Sequence, residues 1–135
     1  YGGLYIDCDY RWQRSITDLS ERAGGFLSTW EIEGQFVANG IIGAAPQHPV
    51  LLDMIDAVHA SCTSPKNNGW RSNRLTGTHV FTPIVKKHGA YVAPQHLFHP
   101  ARWNQVELTD DKNGFPDSIA VHMWNHQREI RGLPL

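Results

Sequence analysis

Cysteine is scarce in this sequence: its 135 residues carry only two, Cys8 and Cys62. Two cysteines make no disulfide framework, and their spacing matches no zinc motif. Both are expected as free thiols in partly buried positions. An excess of one charge is also missing, with 12 Lys and Arg against 13 Asp and Glu and a formal net charge of -1. That balance gives no electrostatic reason for a nucleic-acid partner. It leaves room for an anionic small molecule neutralised locally by a metal ion. No apolar run approaches the roughly 20 residues that span a bilayer, and no secretory signal pattern opens the chain. Any membrane association or targeting signal is expected from segments outside this sequence. Internal repeats and low-complexity segments are absent too.

What remains is one domain's worth of chain, long enough for a modest core. Eight histidines and five tryptophans stand out. Imidazoles and aromatics suit a sugar or nucleotide site, but most of them must simply pack. His48, His79, His88, His96, His99 and His126 are expected as surface or packing residues. Trp12, Trp30, Trp70 and Trp103 are expected as core or edge packing rather than sugar platforms. Arg71 and Arg74 flank a polar loop and are expected to be solvated.

Leu4-Tyr5-Ile6 is a short apolar run between glycines and acids, expected as a buried strand ending at Asp7 and Asp9. Arg11 to Glu21 reads as a loop with a turn or two of helix, and Gly25 to Trp30 as a second strand. Glu31 to Gln35 reads as a polar loop. Phe36 to Ala45 forms a strand interrupted at Asn39-Gly40. From His48 the period changes. Val50, Leu51, Met54, Ile55 and Val58 recur at helical spacing after Pro49, giving a helix that ends near Cys62. A second helix either starts at Thr82-Pro83 or begins near Thr78 with Pro83 inside it, and ends at Gly89. Ala90 to Ala93 and Gln95 to His99 read as short strands, Asp110 to Pro116 as a turn, and Ser118 to Trp124 as a final strand. Alternating strands and helices predict an α/β layered domain over residues 1–135.

Asp7 and Asp9 stand two apart at a strand end, so both carboxylates project to one side. Mg²⁺ and Mn²⁺ favour such oxygen ligands and keep places for substrate phosphates. By itself an Asp-x-Asp triplet is a weak motif, because paired acids at a strand end are commonly a solvated edge.

The nine residues Tyr1-Gly2-Gly3-Leu4-Tyr5-Ile6-Asp7-Cys8-Asp9 resemble the YGGxYxDxD segment of glycosyltransferase family 32, the DXD-motif sugar-binding-region transferases. Later segments agree in order. Asn39 to Ala44 with Pro46-Gln47-His48-Pro49 looks like the family's "N-x-I-x-A-x-P-x-H-P". Thr76-Gly77-Thr78 is similar to its "TGP", and Phe98-His99-Pro100 to its "FYP". Ala120-Val121-His122-Met123-Trp124 resembles its closing "A-x-H-x-W".

The resemblance implies a GT-A type nucleotide-sugar-binding fold of which this chain is the C-terminal portion, with the N-terminal strands missing. It implies metal-dependent, retaining transfer of a hexose from a UDP- or GDP-sugar to a glycan or glycolipid acceptor. Asp7, Asp9 and His122 would be the Mn²⁺ or Mg²⁺ ligands. Asn39 would sit near the anomeric carbon, with Asp7, Asp9 and Asn39 as the catalytic set. Tyr1, Gly2, Gly3, Tyr5, Glu31, Gly40 and Trp124 would join Asp7 and Asn39 around the donor, the two leading glycines leaving space for a flat ligand. The compartment would be cytoplasmic or membrane-peripheral in a bacterium and the Golgi lumen in a eukaryote. The chain departs from the family in having His126-Gln127-Arg128 where a serine-tryptophan pair is common. That departure motivates an alternative, a catalytically inactive glycan-binding relic. A metal-dependent phosphohydrolase built on Asp7, Asp9 and histidines is a third reading.

Overall fold

The computed structural model describes residues 1–69 and 72–135. Trp70 and Arg71, read above as packing and solvated residues, lie outside the described residues. The strands are β1 (Gly3–Ile6), β2 (Tyr10–Trp12), β3 (Phe26–Ile32), β4 (Phe36–Val37), β5 (Ile41–Ala44), β6 (Val92–Ala93) and β7 (Ala120–His122). The helices are α1 (Thr17–Arg22), α2 (Pro49–Thr63), α3 (Ser72–Leu75), α4 (Thr78–Lys87) and α5 (Asn125–Ile130). Single turns of 3₁₀ helix occupy Pro65–Asn67, Gln95–Leu97 and Val106–Asp110.

Among the described residues the strands make one mixed five-stranded sheet, running β1-β5-β3-β4 with β6 beside β3, and a separate β2-β7 ribbon. Every pair is antiparallel except β3 with β6. The class is thus mixed α/β. Alternation along β3 divides the core. Phe26 packs with Val37 of β4, Val50 of α2, and Phe81 and Val85 of α4. Leu27 packs with Leu19, Ile41, Phe98, Ile119 and Ala120 on the other face. Two polar residues buried in β3 find carbonyls: Ser28 Oγ donates to Ala38 O at 2.7 Å, and Thr29 Oγ1 to Ala93 O at 3.2 Å. Buried hydroxyls without such partners would cost free energy.

The helix after His48 forms over Pro49–Thr63, and His48 itself caps it, its Nδ1 accepting from Val50 N at 3.3 Å. The periodicity identified the helix but not its buried face. Val50 is buried, whereas Ile55 is 66% exposed. Of the two starts considered for α4, the earlier holds, with Pro83 inside the helix. Thr82 does not cap α4; its Oγ1 accepts from Val37 N of β4 at 2.9 Å. At the far end, Gly89 N bonds Lys86 O and Ala90 N bonds Val85 O, the Schellman pattern that the glycine signals.

Several expectations need correction. β1 is an edge strand paired only with β5, so Leu4 is 44% exposed and the strand is not buried. Tyr10–Trp12 is a strand rather than loop, because β7 returns from far along the chain to pair with it. Gln95–Leu97 is 3₁₀ helix, since Leu97 N and Phe98 N bond the carbonyls of Pro94 and Gln95. Glu31 and Ile32 extend β3 instead of opening a loop. The final strand stops at His122, and Trp124 takes a left-handed backbone, φ 55°, that turns the chain into α5. Cys8 and Cys62 are free thiols, as expected, but both are exposed.

Candidate metal centre

β1 delivers Asp7 to the sheet edge, where its backbone N–H donates to Gly40 O at 2.8 Å. The Asn39-Gly40 interruption between β4 and β5 has a steric cause. A Cβ on Gly40 would lie 2.7 Å from Asp7 Oδ2, so only glycine lets the carboxylate settle there. Tyr5, on the same side of β1, donates its hydroxyl to Asp7 Oδ1 at 2.5 Å. That bond, with the adjacent carboxylate charge, raises the phenol's pKa.

A turn at Cys8-Asp9 joins β1 to β2. Asp9 is then held by the far end of the chain. Its carbonyl accepts from Met123 N at 2.8 Å, Oδ2 from Asn125 N at 3.0 Å, and Oδ1 meets His122 Nε2 at 3.1 Å. The bond to His122 is the main cause that lowers the Asp9 pKa, against an opposing effect of burial. One ligand atom from each of Asp7, Asp9 and His122 lies within 4.8 Å of the others, and all three residues are half-buried. Two carboxylates and an imidazole at this spacing fit a small divalent cation of the Mn²⁺ or Mg²⁺ kind.

Behind this cluster stands an aromatic cage. Tyr10, the cross-strand partner of His122, stacks on its ring at 4.5 Å and 11°, and Trp124 approaches it at 4.1 Å. Among the described residues the buried His122 Nδ1 has no hydrogen-bond partner, so stacking rather than a second hydrogen bond orients the imidazole. Trp124 is fixed by its indole N–H, which donates to Ala101 O at 3.0 Å. His99, 2% exposed, lies edge-on to both Tyr10 and His122, and its Nε2 meets Tyr10 Oη at 2.8 Å. Burial lowers the His99 pKa to about 3 and raises that of Tyr10, so both are neutral near pH 7. Glu31, at the end of β3, is half-buried and its pKa is raised by burial, while charge at His122 opposes the shift.

The structure therefore gathers Asp7, Asp9, His122, Tyr5, Gly40 and Trp124. Asn39 sits exposed beside Gly40 at the rim. It does not gather Tyr1, Gly2 and Gly3. They lie at or before the opposite end of the extended β1, from about 13 Å (Gly3) to about 20 Å (Tyr1) from Asp7 at ~3.3 Å per residue. The chain packs closely on one side of Gly2, where Ala44 O and Pro46 Cδ lie 2.8 Å from the position a Cβ would take. Those residues instead border an apolar groove of about 340 Å³ with Leu4, Tyr5, Ile42 and Leu51. The sequence put His99 among surface or packing histidines, and the structure makes it a packing residue beside the site. Its signal was the apolar Leu97-Phe98 pair before it.

Neither protein-family models, nor curated proteins, nor solved structures match this chain.

Proposed function

We propose that this chain is the metal-binding part of a retaining glycosyltransferase of GT-A type, which moves a hexose from a UDP- or GDP-sugar to a glycan or glycolipid acceptor. The observation that carries the reading is the convergence of Asp7, Asp9 and His122, drawn from both ends of the chain, within 4.8 Å. The YGGxYxDxD resemblance says what such a centre would be for. When bound, the cation would offset charge on the departing diphosphate.

The chain's own residues supply the placement. Asp9 is oriented by His122 and the Asn125 N–H, so its carboxylate is set before a ligand arrives. Asp7 is held by the Tyr5 hydroxyl and gains room from Gly40. Trp124, pinned to Ala101, walls the site with an aromatic surface. Glu31, kept partly desolvated, is suited to hydrogen-bond a sugar hydroxyl, and Asn39 offers an amide at the rim. Tyr1, Gly2 and Gly3 are left out of this donor set because of their distance from Asp7.

Calorimetric titration of UDP- and GDP-sugars, with Mn²⁺ and then with EDTA, tests the reading, with Asp9→Asn as control. Binding that requires both the metal and Asp9 supports it and identifies the base. Glycan binding indifferent to EDTA and nucleotide would replace it with the inactive relic.

A further inference from the structure

Arg128 is an unusual core residue: it is charged, yet only 3% exposed. A buried guanidinium is tolerated when its donors are matched, and here they are. Nη2 pairs with Asp110 Oδ1 at 2.6 Å, and Nη1 donates to Val106 O and to Thr109 Oγ1, each at 3.2 Å. Nε donates to Pro134 O at 2.6 Å. One side chain thus bolts α5 to the 3₁₀ turn Val106–Asp110 and to the tail that follows. The backbone repeats the tie, with Arg128 N bonding Trp124 O at 3.0 Å and Leu133 N bonding Arg128 O at 2.9 Å.

What α5 carries at its start is the Asn125 N–H on Asp9 Oδ2. The residues that reach Asp9, namely His122, Met123 and Asn125, precede and open this helix, across the left-handed Trp124. A bulky residue in that conformation costs free energy and persists only where its surroundings over-determine it. The Trp124 indole is fixed on one side by Ala101, and the helix on the other by Arg128.

We propose that Arg128 is a positioning residue for the metal centre. By locking α5 it holds the Asn125 amide on Asp9, and so fixes the direction of that carboxylate. The inference rests on the reading of Asp9 as a cation ligand, and it assigns a purpose to the segment where the chain departs from the family it resembles.

The test compares Arg128→Met with Val85→Ala in the full chain. Val85 is fully buried in the opposite core cluster, so its truncation destabilises without touching α5. Two quantities are read: Mn²⁺ affinity by the loss of the free-ion electron paramagnetic resonance signal, and hydrogen exchange of the Asn125 amide in EDTA. Arg128→Met is expected to weaken Mn²⁺ binding about tenfold or more, the usual scale for groups that orient metal ligands, and to speed Asn125 exchange. Val85→Ala is expected to leave Mn²⁺ affinity unchanged. Equal Mn²⁺ affinities and equal Asn125 exchange in the two variants would overturn the inference. Should Arg128→Met not fold, Arg128→Lys carries the same comparison. A lysine ammonium lacks the planar fork that reaches Pro134, Val106 and Asp110 together. Should the unmodified chain itself bind no Mn²⁺, the glycosyltransferase reading falls, and Asn125 exchange alone decides whether Arg128 holds the amide on Asp9.

Discussion

His122 Nε2 and Asp9 Oδ1 meet at 3.1 Å across a separation of 113 residues, and the same carboxylate receives the Asn125 amide on its other oxygen. Two of three candidate ligands are therefore joined before any cation is considered, and Asp7 completes the group from the neighbouring strand end.

Asp9→Ala is expected to remove cation binding and to destabilise the chain by about 1.5–3 kcal/mol, the scale of hydrogen bonds to a charged group. The loss arises because Asn125 N–H and His122 are left facing an apolar methyl. Urea denaturation in EDTA measures it, and a stability equal to the parent's would show that the two bonds contribute nothing.

Acid is expected to weaken the fold in two separable stages. The folded-state pKa of His99 is lowered to about 3 by burial, so the unfolded chain binds a proton that the folded chain refuses. Its contribution is whole above the ordinary histidine value of 6.5 and drains away as pH falls toward 3, with a limiting slope near 1.4 kcal/mol per pH unit. Asp9 acts lower down. Its depressed pKa contributes stability above the ordinary carboxylate value of 3.8 that is lost only as pH falls through the folded-state pKa. Denaturation midpoints from pH 7 to 4 should decline in the parent and flatten in His99→Gln.

Gly40→Ala should displace the Asp7 carboxylate, since the new methyl would lie 2.7 Å from Oδ2. Mn²⁺ affinity is expected to fall about tenfold. Stability should move by less than about 1 kcal/mol, because only the end of one side chain must yield. Paired metal titration and thermal melting check both halves. Undiminished affinity would mean that Asp7 is not a ligand.

Thr82→Val is expected to cost about 1–3 kcal/mol by stranding the buried Val37 N–H, while Thr82→Ser keeps most of the stability. The pair of melting curves separates the hydroxyl's bond to β4 from any effect of side-chain size on α4.

What could be read from the sequence was what local chemistry governs. Pro49 followed by Val50, Leu51 and Met54 marked α2 nearly to the residue, and the Asn39-Gly40 break separated β4 from β5. Asp7, Asp9 and His122 were named together through resemblance, and the fold does bring them together. Distant partners hid the rest. Tyr10–Trp12 becomes a strand only through β7, and three residues carry no period of their own. Leu4 and Tyr5 look like core residues because an edge strand and a central strand share one pattern. Nothing local marks Arg128 as a core residue, because its partners Val106, Thr109, Asp110 and Pro134 are assembled only by the fold.

The long span between Asp9 and His122 also bears on how the chain folds and comes apart. Closing a loop of 113 residues costs about 4 kcal/mol of chain entropy by the logarithmic rule, and such distant contacts tend to form late. The β2-β7 ribbon is therefore expected to form late in folding. Anything that grips Asp9 and His122 at once acts as a clasp on that step and slows unfolding, while the rate of reaching the compact state stays nearly unchanged.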